Sequence, residues 1–331
     1  MLRMARTARQ LTGSRYLCLA GGVALNCVAN GKLLRSGIFD DIFVTPASGD
    51  AGGALGAALF VHHHLLESPR PKTGKDTLRG SLLGPKYGND EIRRFLEAEK
   101  VPHHFLADEA ELLRKTAEAM ATENVIGWFH GKMEFGPRAL GARSIIGDPR
   151  SEAMQSVMNL RIKYRESFRP FAPCVLREDV GEYFELDRES PYMLIVADVK
   201  PELRCSLSDE QKRLMKDPDL RKRVNVKRSS LPAITHVDMS ARVQTVDEER
   251  HGRYYRLMKE FKRQTGCGVI INTSFNIRGE PIVCTPQDAY RCFMATDMDV
   301  LVLENCILYK KEQPQQDADA RKQYIDNFKL D

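Results

Sequence analysis

The sequence lacks any Cys-x-x-Cys pair, although its 331 residues include eight cysteines. Structural zinc sites and dithiol redox motifs usually place two cysteines at that spacing, so neither kind of site is expected. Most of these cysteines lie in apolar runs, where a small buried thiol is the ordinary role. We therefore expect a protein of the reducing cytosol, with a cytoplasmic localisation.

Long hydrophobic runs are absent as well. No stretch approaches the roughly 20 apolar residues that a membrane-spanning helix needs, so we expect no membrane association. With 42% hydrophobic and 29% charged residues, the composition is that of a globular protein long enough for two domains. A net charge of +5 is too small to indicate nucleic-acid binding by itself.

Acidic residues are missing from positions 1–38, where several arginines occur. This pattern resembles an organelle transit peptide. The alternative, which we favour, is a helix over 2–11 that leads into a buried strand over 16–20. Cleavage would discard the glycine turns that follow, and those turns look both structural and functional.

The order of apolar segments and turns predicts an α/β (α+β) protein with two domains. Residues 1–67 form the first domain, residues 68–88 are an exposed linker rich in Pro, Lys and Gly, and residues 89–310 form the second domain. Residues 311–331 are predicted to be a polar, loosely held tail. Within the second domain, the basic segment 201–230 is predicted to be a mobile excursion, and we suggest it as a lid.

Two glycine-rich turns precede helices in the first domain. The first contains Gly21, Gly22 and Asn26, and the second contains Gly49 and Asp50. Such turns let backbone N–H groups approach a phosphate, and a carboxylate in the second turn suits a metal bound to nucleotide phosphates. The plainer alternatives are ordinary strand–helix turns, with Asp50 as a helix N-cap.

Cations with glycine, proline and phenylalanine between them mark two segments of the second domain. Arg138 and Arg143 lie in a glycine-rich segment that is predicted to hold both side chains toward one anion. Lys163, Arg165 and Arg169 follow within seven residues, beside Phe and Pro. A solvated charged surface would not need these apolar neighbours, so the pattern predicts cations on a rigid wall that faces a small polyanion.

A third polar cluster follows the buried strand that begins at Gly268. Asn272, Thr273, Ser274 and Asn276 offer hydrogen-bond donors at a strand end, where α/β folds place ligand contacts. A turn stabilised by Asn and Ser side chains is the alternative. His236 and Arg242 lie in a smaller alternating segment, and His236 could equally be an ordinary buried histidine.

Six ordered motifs together resemble the NodU/CmcH family of O-carbamoyltransferases. They are GGVALN (21–26), GDAGGALGAA (49–58), GPRALGARS (136–144), IKYRESFRPFAP (162–173), THVDMSARVQTV (235–246) and INTSFNIRGEPIV (271–283). The resemblance implies a C-terminal fragment of a Kae1-like (actin/Hsp70-type) domain, followed by a YrdC-like domain. It also implies a two-step reaction, in which carbamoyl phosphate and ATP give carbamoyl-adenylate and pyrophosphate. The carbamoyl group then passes to a hydroxyl-bearing small-molecule acceptor.

The resemblance assigns roles to individual residues. It implies that Lys163, Arg165, Ser274 and Asn276 are catalytic. The residues expected to bind carbamoyl phosphate and ATP are Arg138, Arg143, Arg169, Asn272, Thr273, Arg242 and His236. In the Kae1-like part, Gly21, Gly22, Asn26 and Gly49 are expected to bind nucleotide, and Asp50 to bind metal.

The implied cofactors are Mg²⁺ with ATP and iron (Fe²⁺) in the Kae1-like site. The sequence departs from the family there, because no His-x-x-x-His pattern precedes Asp50. The iron site is therefore expected to be incomplete, and an N-terminal half to be missing. Two alternatives follow: an inactive or partner-dependent fragment, and, less favoured, an RNA-binding YrdC-like module. The basic segment has no interleaved aromatic residues on which bases could stack, so a nucleic-acid partner is not expected.

Overall fold

Two β-sheets organise the chain. The structure, a computed structural model, describes residues 1–70, 76–224, 226–315 and 317–328. The strands of the first half are β1 Tyr16–Leu19, β2 Asp41–Val44, β3 His104–Phe105, β4 Ile126–Phe129, β5 Arg143–Gly147 and β6 Ala172–Leu176. Those of the second half are β7 Ile195–Asp198, β8 Ser240–Val246, β9 Val269–Ser274, β10 Val300–Leu303 and β11 Cys306–Tyr309.

Helices surround both sheets. Those before the middle of the chain are α1 Leu2–Thr12, α2 Cys27–Arg35, α3 Ala51–Phe60, α4 Asn89–Ala98, α5 Glu109–Ala121 and α6 Met154–Val157. The later ones are α7 Val180–Tyr183, α8 Asp209–Leu214, α9 Leu220–Val224, α10 Glu248–His251, α11 Arg253–Thr265, α12 Pro286–Ala295 and α13 Ala318–Asp326. None of the helices in the described ranges is both long and apolar enough to cross a bilayer.

The large sheet has the strand order β3-β11-β10-β4-β5-β9-β6-β8-β7. Strands β10 and β4 are parallel, as are β6 and β8, and the remaining neighbours are antiparallel. The mixed α/β class predicted from the sequence is thus confirmed. The finer prediction, a Kae1-like fragment followed by a YrdC-like domain, stays a prediction.

The central strands are buried on both faces, which explains why they read as continuous apolar runs. Every residue of β4, β5, β6 and β10 is buried. Helix α11 packs there through Tyr254, Leu257, Met258 and Phe261, whose spacing places them on one helical face. The core of the chain therefore lies between the large sheet and its helices.

The small sheet pairs β1 with β2 in parallel and is fastened to the large sheet through α2. Gly31 lies so close to β7 that a Cβ atom would collide with the carbonyl oxygen of Val196. Beside it, the buried Asn30 side chain donates to the carbonyl oxygens of Ala24, at 2.8 Å, and Leu194, at 3.0 Å. Helix α2 thus connects the two sheets directly.

Three predicted segments differ from expectation. The apolar run over 300–309 predicts one strand, whereas the structure has a hairpin, β10–β11, which turns at Glu304 with φ 49°. The tail over 311–331 contains α13, and Tyr324, Ile325 and Phe328 pack against the main core. Part of the expected exposed linker is buried at Gly80 and Ser81, since Ser81 exchanges hydrogen bonds with Phe135. The proposed domain boundaries themselves stay predictions.

The basic segment 201–230 contains α8 and α9 and is anchored at its far end. The buried Arg228 guanidinium donates to the carbonyl oxygens of Arg223, Val224, Val226 and Thr235, at 2.7 to 3.1 Å. The described part of this segment is therefore held at Arg228 rather than being a free excursion over its whole length. Its role as a lid stays a prediction.

Candidate functional site

A cavity of about 570 Å³ opens where the ends of β8 and β9 meet the N-terminus of α2. We call it the arginine cavity, because Arg138, Arg165, Arg169 and Arg242 all line it. Its remaining lining residues are Cys27, Pro137, Ala139, Phe168, Pro170, Phe171, Ala172, Met193, His236, Asn272, Thr273 and Ser274. No carboxylate occurs among the described residues that line it. The cavity is therefore suited to a polyanion.

Most of the site residues predicted in the second domain meet here. They are Arg138, Arg165, Arg169, His236, Arg242, Asn272, Thr273 and Ser274. They come from four separate stretches of sequence, which the large sheet and its loops bring together. Their chemical roles stay predictions, but the predicted convergence on one site agrees with the geometry.

Arg138 and Arg242 face this cavity without a carboxylate partner. Both Nε atoms are buried and have no hydrogen-bond partner among the described residues. Burial, together with the charge of Arg138, lowers the pKa of Arg242 to about 10. Two like charges held together in a poorly solvated place are unfavourable until an anion joins them. Their arrangement is thus that of an anion site.

Arg165 and Arg169 also line the cavity. The Arg165 guanidinium lies 5.0 Å from the centre of the Phe171 ring, and its Nε donates to Asn159 Oδ1 at 2.7 Å. Burial, and then the charges of Arg169 and Arg242, lower the pKa of Arg165 to about 10. Arg169 forms an ion pair with Glu166 at 2.9 Å and is more exposed. The Arg165 guanidinium is consequently held in a fixed position and has no carboxylate partner among the described residues, so it is better placed than Arg169 to bind an anion in the cavity.

Lys163 lies behind the cavity wall rather than on it. It is 2% exposed, and its Nζ donates to Ser274 O, to Ser274 Oγ at 3.3 Å, and to Asn276 O and Oδ1 at 2.9 and 2.8 Å. Burial, with a smaller contribution from Arg165, lowers the pKa of Lys163 to about 7. Lys163 therefore holds the Ser274–Asn276 turn in place, and only Ser274 of that turn reaches the cavity.

The prediction that Arg143 faces the same anion as Arg138 is wrong. The Arg143 side chain is fully buried, 3.5 Å above the Phe129 ring. Its Nη1 donates to the carbonyl oxygens of His130, Gly131 and Ala142, and its Nη2 to that of Pro85. Burial lowers its pKa to about 10. Arg143 thus fastens neighbouring loops together from behind.

Glu134 organises the loop that carries Arg138, and the sequence analysis gave it no role. Its buried Oε1 accepts hydrogen bonds from the backbone N–H groups of Leu140 and Ala142 at 2.7 Å, and of Arg143 at 3.3 Å. One carboxylate therefore shapes the turn between Gly136 and β5. The sequence contains one indication of this role, since Glu134 is an acidic residue just before a glycine-rich basic loop.

Asn272 has a fixed side-chain orientation. Its Nδ2 donates to Ala139 O at 3.1 Å and to Gln244 Oε1 at 2.9 Å. Gln244 is itself oriented by donating from Nε2 to Leu140 O at 2.9 Å. Gln244 could not be recognised from the sequence, because its hydrogen bonds with Leu140 and Asn272 join residues 104 and 28 positions away.

The residues predicted to bind nucleotide and metal in the first domain, Gly21, Gly22, Asn26, Gly49 and Asp50, do not line the arginine cavity. Asn26 caps α2 by accepting from Ala29 N at 3.1 Å, which agrees with the alternative of an ordinary strand–helix turn. Their neighbours do reach the site: Cys27 lines the cavity, and Leu25 O lies 3.5 Å from Arg138 Nη2.

The residues present do not fit an iron site. Asp50 is exposed at the start of α3, and the described residues contain no group of three His, Cys, Asp or Glu side chains that could share a metal ion. A single carboxylate is too small a donor set for iron. We derive no chemical step through iron.

Comparison with known proteins gives two family matches. The family model "Carbamoyltransferase C-terminus" matches residues 117–310, and "Carbamoyltransferase N-terminus" matches residues 1–59. The first match covers more than half of the chain and includes every residue of the arginine cavity except Cys27.

Individual relatives agree with these matches. An uncharacterised protein of Synechocystis is 58% identical over 100% of this chain and 53% of its own length. Nodulation protein NolO of Bradyrhizobium diazoefficiens is 41% identical over 95% of this chain and 53% of its own length. The 3'-hydroxymethylcephem-O-carbamoyltransferase of Streptomyces clavuligerus is 32% identical over 86% of this chain and 46% of its own length. The chain thus spans about half the length of the curated relatives that it matches.

Proposed function

Because this chain belongs to the carbamoyltransferase family of transferases, we propose that its arginine cavity activates carbamoyl phosphate with ATP. The observation that carries the proposal is the set of four arginines without a lining carboxylate. Carbamoyl phosphate and the triphosphate of ATP are both small polyanions, and Mg²⁺ enters with the nucleotide. The product is carbamoyl-adenylate.

The proposed formation of carbamoyl-adenylate consists of two displacement steps, and its atoms balance. Water cleaves carbamoyl phosphate into carbamate and phosphate, and a carbamate oxygen then attacks the α-phosphorus of ATP. A new P–O bond forms there while the bond to the β-phosphate breaks, so that pyrophosphate leaves. Negative charge develops on the departing phosphates, and preorganised guanidinium groups stabilise such charge.

Each part of the cavity has a role in this scheme. Arg138 and Arg242, which have no anionic partner, bind phosphate oxygens. Arg165, fixed on Phe171, stabilises the phosphorus undergoing attack. The Ser274 hydroxyl donates to Asn276 Oδ1 at 2.7 Å, and Lys163 holds the same turn, so Ser274 forms a rigid polar part of the cavity wall. The apolar walls at Phe168, Pro170 and Phe171 exclude bulk water, which would hydrolyse the adenylate, while the first displacement uses a single water molecule.

Pyrophosphate release tests this function. The chain, given Mg²⁺, ATP and carbamoyl phosphate, should release pyrophosphate only when both substrates are present. Arg242→Met should lower kcat/KM about 100-fold, as loss of one transition-state donor does, and Lys163→Met should abolish the release. Arg263→Met is the matched control, since Arg263 forms an exposed ion pair with Glu260 and lies outside the cavity. A folded chain that binds tripolyphosphate yet releases no pyrophosphate would contradict the proposal.

The Streptomyces clavuligerus relative is named an O-carbamoyltransferase, and this chain spans 46% of its length. We propose that transfer to a hydroxyl group uses polypeptide equivalent to its remaining part, packed against residues 1–66. Exposed apolar side chains there support this, including Phe60 at 62% and Leu65 at 71% exposure. The acceptor is a hydroxyl-bearing small molecule.

The partner-dependent alternative has its own experiment. The half of the Synechocystis relative that this chain does not match is added in trans, and complex formation is measured by sedimentation. A one-to-one complex that Phe60→Lys prevents supports the proposal. An unchanged sedimentation coefficient of the mixture contradicts it.

A further inference from the structure

His236 separates two neighbouring cavities. It lines the arginine cavity and also a second cavity of about 260 Å³, and Phe168 and Pro170 lie on the same shared wall. The other residues of the second cavity are Gln155, Val224, Arg228, Val237 and Asp238. A side chain in this position contacts whatever fills the arginine cavity at that end.

The hydrogen bonds around His236 determine which ring nitrogen carries the proton. Ser240 Oγ lies 2.6 Å from Asp238 Oδ1 and 3.1 Å from His236 Nδ1. Burial raises the pKa of Asp238, but the hydrogen bonds from the Ser240 hydroxyl and N–H lower it by more, so the carboxylate is ionised. An ionised carboxylate only accepts, so the single Ser240 hydroxyl proton points to Asp238. Nδ1 must then be the donor in the bond between His236 and Ser240.

The opposite nitrogen is consequently an acceptor. Burial, assisted by the charges of Arg242 and Arg228 and opposed by Asp238, lowers the pKa of His236 to about 4. The ring is therefore neutral at physiological pH, with its one proton on Nδ1. Nε2 carries a lone pair, and no described residue hydrogen-bonds to it.

The four arginines of this cavity only donate, so the acceptors among its side chains are few: His236 Nε2, the unpaired Oδ1 of Asn272 and the hydroxyl oxygens of Thr273 and Ser274. A ligand held by its phosphate on the arginines needs a donor at its other end to use Nε2. Carbamoyl phosphate has such an end, since its amino group carries two N–H bonds. Acetyl phosphate has the same charge and a similar shape, with a methyl group in place of the amino group.

We propose that His236 Nε2 accepts a hydrogen bond from the amino group of carbamoyl phosphate and thereby selects it over acyl phosphates without an N–H. Ser240 and Asp238 act as positioning residues, because they fix the tautomer that makes Nε2 an acceptor. The proposal rests on the proposed function and deepens it, by naming the residue that recognises the carbamoyl group. A site built around a polar partner discriminates strongly against an analogue that lacks it.

The test uses two stable analogues in binding calorimetry with the 331-residue chain. Phosphonoacetamide keeps the amino group, and 2-oxopropylphosphonate replaces it with methyl. We expect the amide to bind about tenfold more tightly, the typical effect of one hydrogen bond. His236→Leu should remove this preference without weakening the methyl analogue. His236→Gln, whose side-chain oxygen lies near the Nε2 position, should retain most of it.

A third variant separates the tautomer from the ring. Asp238→Asn leaves His236 in place but lets the Ser240 hydroxyl proton point to the imidazole, so the preference should fall several-fold. This response distinguishes a positioning role from a merely structural one, because the methyl analogue again binds as before.

Four results would overturn the assignment. They are a preference that survives in His236→Leu, equal weakening of both analogues, no binding of either analogue to the unmodified chain, and a loss of affinity for a non-hydrolysable ATP analogue alone. The last would assign Nε2 to a nucleotide hydroxyl or amino group. A His236-dependent preference in a chain that releases no pyrophosphate would instead reject the adenylation chemistry and leave the amino-group assignment standing.

Discussion

Arg143 and Arg242 have the same side chain in opposite surroundings. Arg143 donates to four carbonyl oxygens and lies over Phe129, whereas Arg242 Nε has no partner among the described residues. The first guanidinium contributes to the stability of the fold. The second is held in an unfavourable place, which is the usual condition of binding residues.

The two arginines should therefore respond differently to the same substitution. Arg143→Met should lower the free energy of unfolding by about 2–4 kcal/mol, since it leaves buried carbonyl oxygens unsatisfied. Arg242→Met should leave the stability unchanged or raise it, while abolishing tripolyphosphate binding. Urea unfolding and calorimetry measure both effects, and a destabilised Arg242→Met would contradict the reading of that site.

Two buried histidines predict how stability depends on pH. Burial lowers the pKa of both His236 and His251 to about 4, from 6.5 for an unfolded histidine. Between these values the unfolded chain binds more protons than the folded chain. The stability from neutral histidines is therefore complete above pH 6.5 and is lost as the pH falls toward 4. Each histidine contributes on the order of 2 kcal/mol.

The matched comparison is His236→Gln, which removes one such group. Its free energy of unfolding should fall less steeply than that of the unmodified chain between pH 6.5 and pH 4. Equal slopes in urea titrations at several pH values would show that the pKa of His236 is the same in the folded and unfolded chain, which would contradict this prediction.

Residue types and their local spacing predicted much of the arginine cavity. Arg165 and Arg169 were recognisable because Phe and Pro interrupt the charges, and Ser274 because it ends a buried strand. Arg143 was assigned wrongly, since its partners are main-chain oxygens of Pro85, His130, Gly131 and Ala142, which have no sequence signature. The role of Gln244 depends on contacts that only the folded chain creates, whereas Glu134 is marked by its position just before the glycine-rich basic loop that it organises.

At the scale of elements, helix α13 is more firmly placed than its polar sequence indicates. Tyr324 donates to Glu280, and Arg321 bonds Tyr164 Oη and, at 2.7 Å, Asp297. Glu280 in turn accepts at its carbonyl oxygen from Asn276 Nδ2, at 2.6 Å. The helix thus supports the turn that Lys163 holds.

Removal of residues 317–331 should consequently lower the free energy of unfolding by about 2–4 kcal/mol, because three partly buried apolar side chains are lost. Amide hydrogens near Asn276 should exchange faster in the truncated chain. Tyr324→Phe is the milder control, which removes one hydrogen bond and keeps the packing. Unchanged stability after truncation would support the loosely held tail predicted from the sequence.

Elements with strong periodicity were predictable, and the others were not. Apolar spacing predicts helices over 89–100, 109–123 and 285–295 and strands over 16–20, 41–45 and 125–129. Helices α4, α5 and α12 and strands β1, β2 and β4 lie close to these positions. The sequence analysis missed α11, whose apolar face is hidden among many charged residues, and the strands β5, β6 and β8. Those strands contain or adjoin polar site residues, so their apolar pattern is interrupted. The hairpin β10–β11 was missed because its turn at Glu304 and Asn305 is short.

At the scale of the whole molecule, residues 1–66 present an apolar surface to solvent. Helix α3 buries none of its residues, and Phe60, Leu65 and Leu66 are each more than half exposed. Such a surface is typical of an interface. The small residues of α3 predict a close approach to a neighbour or a ligand, and among the described residues no side chain of α3 is buried.

This surface should bind a hydrophobic dye. The double variant Phe60→Gln, Leu65→Gln should lose most dye fluorescence without a change in stability, since both side chains are exposed already. Leu160→Gln is the matched control, because Leu160 is equally exposed but lies in the other part of the chain. Dye binding that survives the double variant would assign the fluorescence to another surface.

The close seating of α2 on β7 has a thermodynamic consequence. One end of this helix carries Cys27 into the arginine cavity, while Gly31 leaves it no room to slide over Val196. A partner that shifts residues 1–66 therefore also moves part of the cavity wall. Linkage is reciprocal, so any factor by which such a partner changes the affinity for polyanions is the factor by which polyanions change the affinity for the partner. The binding of polyanions in the cavity and the binding of the partner would then affect each other through the single helix α2.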